Sequence, residues 1–233
     1  MICDNLKKIR HQIKNAAQRC GRDPNSVRLV AVSKRKPEAA IREAADCGQL
    51  LFGENYLQEA REKITALHDY SQERGLIFHF IGHLQSNKAK QAVELFQMIE
   101  TVDRFKIARL VSKHCVDLGL RRDILVQVNI GRERQKSGVM PEETAALLRQ
   151  IGSLPGIRVR GLMTMPPLTP TPEDARGFFA DLRLLARELS AQGLLEPFDQ
   201  VELSMGMSRD FEIAIEEGAT LVRVGTAIFG ARI

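Results

Sequence analysis

The sequence contains no tryptophan, and aromatic residues make up only 5% of it. A surface that stacks nucleic-acid bases needs aromatic side chains, so this composition argues against a base-stacking platform. The 34 basic and 29 acidic residues are interspersed, with no long block of one sign. The net charge of +5 therefore does not call for a nucleic-acid partner, and it suits small anionic ligands better.

Long apolar runs are also missing. No stretch approaches the roughly 20 consecutive apolar residues of a membrane span, and the first residues lack the apolar core of a signal peptide. We therefore expect a cytoplasmic protein with no membrane partner.

Cysteines are few and widely spaced. Cys3, Cys20, Cys47 and Cys115 show no paired spacing, so neither a zinc site nor a disulfide framework is indicated, and we expect reduced thiols. The histidines at 79 and 83 are four residues apart, but Gly82 and the strand-like residues before it argue against two ligands on one helix face. The sequence thus predicts no metal site.

The length fits one closed barrel. With 233 residues the chain is close to the roughly 250 that are typical of a barrel of eight βα units, and 44% hydrophobic residues are enough for a substantial core. No linker rich in Pro, Gly or Ser divides the chain. We therefore predict one domain over residues 1–233.

An amphipathic helix is predicted at residues 1–21, with Leu6, Ile9, Ile13 and Ala17 on one face and Gly21 as its stop. Strands then alternate with helices that begin near residues 37, 55, 86, 103, 141, 172 and 208. The eight strand candidates are residues 28–32, 50–52, 77–81, 98–101, 124–128, 159–163, 200–203 and 221–224. This alternation predicts a (β/α)8 TIM barrel with an extra N-terminal helix, and an open doubly wound sheet is the alternative.

Lys34 stands where the first apolar strand ends. Desolvation and the neighbouring cations Arg35 and Lys36 would lower the pKa of its amine, which favours attack on a carbonyl carbon. The alternative is a lysine that simply extends from a strand end into water.

Two loops at the predicted active face resemble phosphate cradles. Residues 204–208 follow the seventh strand and residues 223–227 follow the eighth, and each contains glycine and a hydroxyl ahead of a helix. Ordinary capped turns are the alternative for either loop alone. Together with Lys34 they suggest a ligand that carries both an aldehyde and a phosphate.

Several motifs resemble the pyridoxal phosphate homeostasis protein family. They are residues 29–37 (LVAVSKRKP), 52–56 (FGENY), 79–88 (HFIGHLQSNK), 161–163 (GLM), 203–208 (LSMGMS) and 222–230 (VRVGTAIFG). The match runs from the first strand to the C-terminus.

This resemblance implies a fold type III barrel like the N-terminal domain of alanine racemase, with pyridoxal 5′-phosphate (PLP) as cofactor. It implies that Lys34 forms a Schiff base with PLP, that Lys36 is a second, weaker lysine candidate, and that no residue is catalytic. The other implied cofactor-binding residues are Ser204, Gly225 and Thr226 at the phosphate, Arg223 at the pyridine nitrogen, and Asn55 and Met163 nearby. His83 is given no role, because many family members have proline there.

An arginine at the pyridine nitrogen disfavours its protonation, so carbanion chemistry should be weak. We also expect no second domain, because Ile233 ends the chain directly after the eighth unit. The resemblance implies a role in PLP homeostasis by delivery of the cofactor to PLP-dependent apoenzymes, and with these points we expect a monomeric carrier.

The basic loop at residues 131–138 is expected to be mobile. It is either a solvated loop or a place where Lys136 takes up PLP during transfer. Two other functions remain open: a PLP-dependent amino-acid racemase or decarboxylase, and a cofactor-free aldolase that uses Lys34.

Overall fold

Eight parallel strands close into a barrel in the computed structural model, which describes residues 1–230. Each strand pairs with its neighbours in the chain, and β8 closes on β1 with Arg28 opposite Leu221. The strands are β1 (Arg28–Val32), β2 (Leu51–Glu54), β3 (Ile77–Phe80), β4 (Met98–Val102), β5 (Arg122–Gln127), β6 (Ile157–Met163), β7 (Glu202–Met207) and β8 (Leu221–Val224). The predicted barrel is confirmed, and the open sheet is wrong.

Helices surround the barrel. They are α1 (Ile2–Arg19), α2 (Glu38–Asp46), α3 (Leu57–Ala66), α4 (His68–Arg74), α5 (Ala89–Leu95), α6 (Phe105–Asp117), α7 (Pro141–Ile151), α8 (Arg176–Ala191), α9 (Phe211–Glu216) and α10 (Thr226–Phe229). Short 3₁₀ turns lie at Pro24–Ser26, Ser86–Lys88, Glu173–Ala175 and Phe198–Gln200. Within residues 1–230, none of these helices has the length and apolarity needed to cross a membrane. The predicted domain ends at residue 233, and its last three residues lie outside the described part.

The core has two parts, because a parallel barrel buries both faces of its strands. The larger part lies between the strands and the surrounding helices. The smaller part is an inner layer inside the barrel, formed by Val30, Leu51, Met98, Leu125, Met163 and Leu221. Val30 and Leu221 precede Val32 and Arg223 by two residues on the same strands. Because every second side chain of a strand points to the same face, this inner layer lies inside the barrel, directly below the side chains of Val32 and Arg223.

Helix α1 is the extra element. Its predicted apolar face is buried, Gly21 follows it with φ of +70°, and it packs against α2, α9 and α10 where the last unit meets the first. The expectation of four reduced cysteines is wrong for one pair. The start of α1 lies beside the end of α2, and Cys3 and Cys47, with Cα atoms 5.5 Å apart, form a disulfide. Their sequence separation of 44 conceals this proximity.

Strand β7 is longer than predicted and begins later. It runs to Met207, so Ser204 lies inside the strand and not in the loop after it. Helix α9 starts at Phe211 with Asp210 as its N-cap residue, slightly later than the predicted start near residue 208. Gly206 adopts φ of +89°, and a Cβ there would lie 2.6 Å from the Cβ of Ala214. The glycine thus serves close packing of β7 on α9, although its sequence suggested a loop.

Candidate functional site

A cavity of about 270 Å³ lies at the carboxyl ends of the strands. Active sites of such barrels are found at this face. Residues that follow six of the eight strands, or that end them, line it: Val32, Lys34, Asn55, Ile81, Met165, Leu168, Met207, Ser208, Arg209, Asp210, Arg223, Gly225 and Thr226. A larger cavity of about 740 Å³ lies among the strand starts, but it contains no lysine. The smaller cavity is therefore the candidate site.

Lys34 reaches this cavity from a tight turn directly after β1. The Ser33 amide donates to the Gly53 carbonyl at 3.1 Å, and the Lys36 amide donates back to the Ser33 carbonyl at 3.1 Å. These bonds fix the backbone on which Lys34 stands. Lys36 lies on the same turn but is not among the residues that line the cavity.

Hydroxyl and amide groups converge on the neighbouring part of the cavity wall, at the ends of β7 and β8. The Oγ1 of Thr226 lies 3.3 Å from the Oγ of Ser208, and the amide of Gly225 donates to that Oγ at 3.4 Å. A Cβ on Gly225 would lie 3.2 Å from the carbonyl oxygen of Val32, so glycine allows β8 to end close to β1. Gly225 and Thr226 line the cavity as the sequence predicts, and Ser208 joins them.

Ser204, which the resemblance implies at the phosphate, does not line the cavity. Its side chain is fully buried, and its Oγ donates to Oε2 of Glu100 at 2.5 Å. It also accepts from Arg223 at 2.5 Å. Because β7 continues past Ser204, this hydroxyl points into the barrel beneath the cavity. Of the two serines in residues 204–208, Ser208 is the one that lines the cavity.

A buried polar chain supports Arg223 from below. Glu100 accepts from Nδ1 of His79 at 2.7 Å, while the second guanidinium nitrogen of Arg223 donates to the carbonyl of Thr164 at 2.7 Å. Burial raises the pKa of Glu100, but the His79 hydrogen bond and the Arg223 charge outweigh it and hold the pKa below its ordinary value. Burial lowers the pKa of Arg223, which Glu100 and Asp210 oppose. The guanidinium is thus held rigidly at the floor of the cavity.

Asn55 and Met163 differ in position. Asn55 follows β2 and lines the cavity, and its Oδ1 is buried with no hydrogen-bond partner in the described part of the chain. A buried acceptor of this kind is costly unless a ligand donates to it. Met163 is fully buried in the inner layer and does not line the cavity, where Met165 lies instead.

The loop at residues 131–138, which we expect to be mobile, forms hydrogen bonds to Asn129 just before it and to the segment after β6. The side chain of Asn129 donates to the Glu133 carbonyl at 2.8 Å and accepts from the Glu133 amide at 3.2 Å. Lys136 pairs with the Glu133 carboxylate and donates to the Pro166 carbonyl at 3.0 Å. Lys136 therefore lies beside the segment after β6, outside the cavity lining.

Sequence reasoning missed several residues that the fold brings to the site. Met165, Leu168 and Asp210 line the cavity, and burial raises the pKa of the Asp210 carboxyl. The predicted loop after the seventh strand did contain Ser208, so its hydroxyl could have been named from the same signal. The buried pairing of His79 with Glu100 had no signal, since it depends on the register of two strands.

Comparison with known proteins now places the chain in a family. A family model described as the alanine racemase N-terminal domain matches residues 5–233. The pyridoxal phosphate homeostasis protein of Pseudomonas aeruginosa is 46% identical over 231 residues, which span 99% of this chain and 96% of that protein. The chain belongs to the pyridoxal phosphate homeostasis protein family.

Solved structures agree with this family. PipY of Synechococcus elongatus PCC7942, solved with PLP bound, is 39% identical with a TM-score of 0.84, over 99% of this chain and all of that one. Alanine racemase from Corynebacterium glutamicum is 18% identical with a TM-score of 0.68, over 97% of this chain and 61% of that one. The racemase likeness concerns the fold alone. The pyridoxal phosphate homeostasis family thus shares its barrel with the racemases.

Proposed function

We propose that this chain binds PLP in the cavity at the carboxyl ends of the strands and acts in PLP homeostasis by storing and delivering the cofactor. One observation carries the proposal: the cavity that Lys34 lines is also lined by Ser208, Thr226 and Arg223. PLP carries an aldehyde, a phosphate and a pyridine nitrogen, and these residue types suit those groups.

The residues present fit the cofactor in three respects. The unpartnered Oδ1 of Asn55 offers an acceptor to a ligand hydroxyl. The hydroxyls of Ser208 and Thr226, 3.3 Å apart, can donate to one anionic group. When bound, PLP would supply an aldehyde carbon to which the Lys34 amine would bond, and the aldehyde oxygen would leave as water. Lys36 and Lys136 are weaker candidates for that bond, because neither lines the cavity.

Little or no catalytic activity is part of the proposal. A permanently charged guanidinium beside the pyridine nitrogen opposes its protonation and weakens the ring as an electron sink. The hydrogen bonds from Arg223 to Ser204 and Thr164 keep this charge in place. A PLP-dependent racemase or decarboxylase is the second candidate, and steady product formation from an amino acid would decide for it.

The setting of this function is also proposed. A carrier of this kind would act as a cytoplasmic monomer and would release PLP to apoenzymes that depend on it. Transfer is tested by mixing the loaded protein with such an apoenzyme and following the recovery of its activity.

The deciding experiment compares visible absorbance before and after borohydride for the wild type, Lys34→Ala and Lys36→Ala. We expect a yellow band with PLP in the wild type and in Lys36→Ala, which borohydride abolishes, and no band in Lys34→Ala. Peptide mapping of the reduced protein should place the added mass on Lys34, not Lys36 or Lys136. A wild type that stays colourless with PLP would overturn the proposal, and trapping of a phosphosugar by borohydride would then favour an aldolase.

A further inference from the structure

We infer that Lys63 is a positioning residue, which holds the turn that presents Lys34 to the cavity. This inference rests on the proposed function and extends its binding machinery to the buried charges behind the turn. Lys63 lies on α3, and its side chain is 9% exposed. Lysine is rarely buried to this extent unless its ammonium is fully paired.

The ammonium of Lys63 contacts three oxygens. It lies 2.6 Å from Oε1 of Glu54, 2.7 Å from Oε1 of Glu59 and 2.7 Å from the carbonyl oxygen of Ser33. Its three N–H groups therefore match three acceptors. The Ser33 carbonyl belongs to the peptide unit that leads into Lys34, so Lys63 binds the backbone of the turn directly.

Glu54 and Glu59 hold the same turn. The hydroxyl of Ser33 donates to Oε1 of Glu54 at 2.7 Å, and the backbone amide of Arg35 donates to Glu59. Arg35 adopts φ of +58°, a left-handed conformation that costs free energy for a residue with a side chain. Lys63 and its two glutamates thus fix the residues on both sides of Lys34.

This arrangement also links two walls of the cavity. Glu54 is fully buried and directly precedes Asn55, so the same ion pair positions the ends of β1 and β2. A buried ion pair contributes little net stability compared with apolar packing, although removing one partner is costly. Since the pair holds two cavity-lining loops, its place in the fold is explained by pre-organisation of the site.

The test measures the rate at which the yellow PLP band forms and the apparent affinity for PLP in Lys63→Met and in Lys63→Met/Glu54→Gln. The double variant also removes the buried Glu54 charge that the single variant leaves unpaired, whereas the Glu59 side chain is 27% exposed to water, so the double variant should recover thermal stability. Lys90→Met is the matched control, because Lys90 also faces a glutamate four residues on, Glu94 at 3.9 Å, but on the exposed side of α5.

We expect band formation to slow about ten- to a hundredfold in both Lys63 variants and to stay normal in Lys90→Met. Recovery of both stability and rate in the double variant would assign Lys63 a merely structural role and overturn the inference. Normal rates in both Lys63 variants would overturn it as well. A wild type without any band would overturn the proposed function and this inference together, whereas the preceding results affect the inference alone.

Discussion

The Glu100 carboxylate offers a direct measure of how much the buried polar chain contributes to stability. Glu100 is completely buried, accepts hydrogen bonds from His79 and Ser204, and faces the charge of Arg223. Glu100→Gln keeps the shape of the side chain but removes the fully buried negative charge that faces the Arg223 guanidinium, so that of the two carboxylates acting on it only Asp210 remains. Removing one partner from a buried ion pair costs about 3 to 5 kcal/mol. For a chain of this size that corresponds to a fall in Tm of about 6 to 20 °C.

Thermal unfolding at neutral pH measures this effect, with the exposed Glu94→Gln as the control. The pKa of Glu100 lies below its ordinary value in the folded protein. Its stabilising contribution is therefore complete above the ordinary pKa and is lost as the pH falls through the lowered one. The difference between wild type and Glu100→Gln should shrink in that acidic range. A loss under about 1 kcal/mol, or a difference that persists in acid, would refute the reasoning.

Two further substitutions test the cavity walls. Thr226→Ala should weaken PLP binding about tenfold or more, because it removes a hydrogen bond to an anionic group. It should leave the affinity for pyridoxal unchanged, because pyridoxal lacks the phosphate. Absorbance titrations with both compounds check this, and an equal loss of affinity for both would contradict the phosphate assignment. Gly82→Ala should lower the free energy of unfolding in urea by about 1 to 3 kcal/mol or more, because the new Cβ would lie 2.0 Å from the backbone oxygen of Asn55. Its control is Gly177→Ala, where nothing lies within 4 Å of the new Cβ, and equal stability of the two variants would contradict this packing.

The architecture was predictable because its signals are local. Strands buried on both faces appear as continuous apolar runs, and β1 and β8 have the predicted bounds. The position of Lys34 followed from the strand that precedes it.

The remaining features depend on contacts between residues that are far apart in the sequence. The end of β7 was misplaced because serine and glycine resemble loop residues, so Ser204 was assigned to the cavity and not to the barrel interior. The resemblance placed Met163 near the cofactor, whereas the alternation of side chains along β6 directs its side chain into the inner layer of the barrel. The Lys63 contacts join β1, β2 and α3, and no periodicity in one segment predicts such a meeting point.

The inner apolar layer closes the cavity on the side that faces the barrel interior. Val30, Met163 and Leu221 help to seal the barrel beneath Arg223, so within residues 1–230 a ligand enters and leaves the cavity at the carboxyl-terminal face. PLP would therefore bind and dissociate through the same opening. A recipient protein bound over this opening would block free PLP from the cavity, so the cavity could be refilled only after the recipient had dissociated.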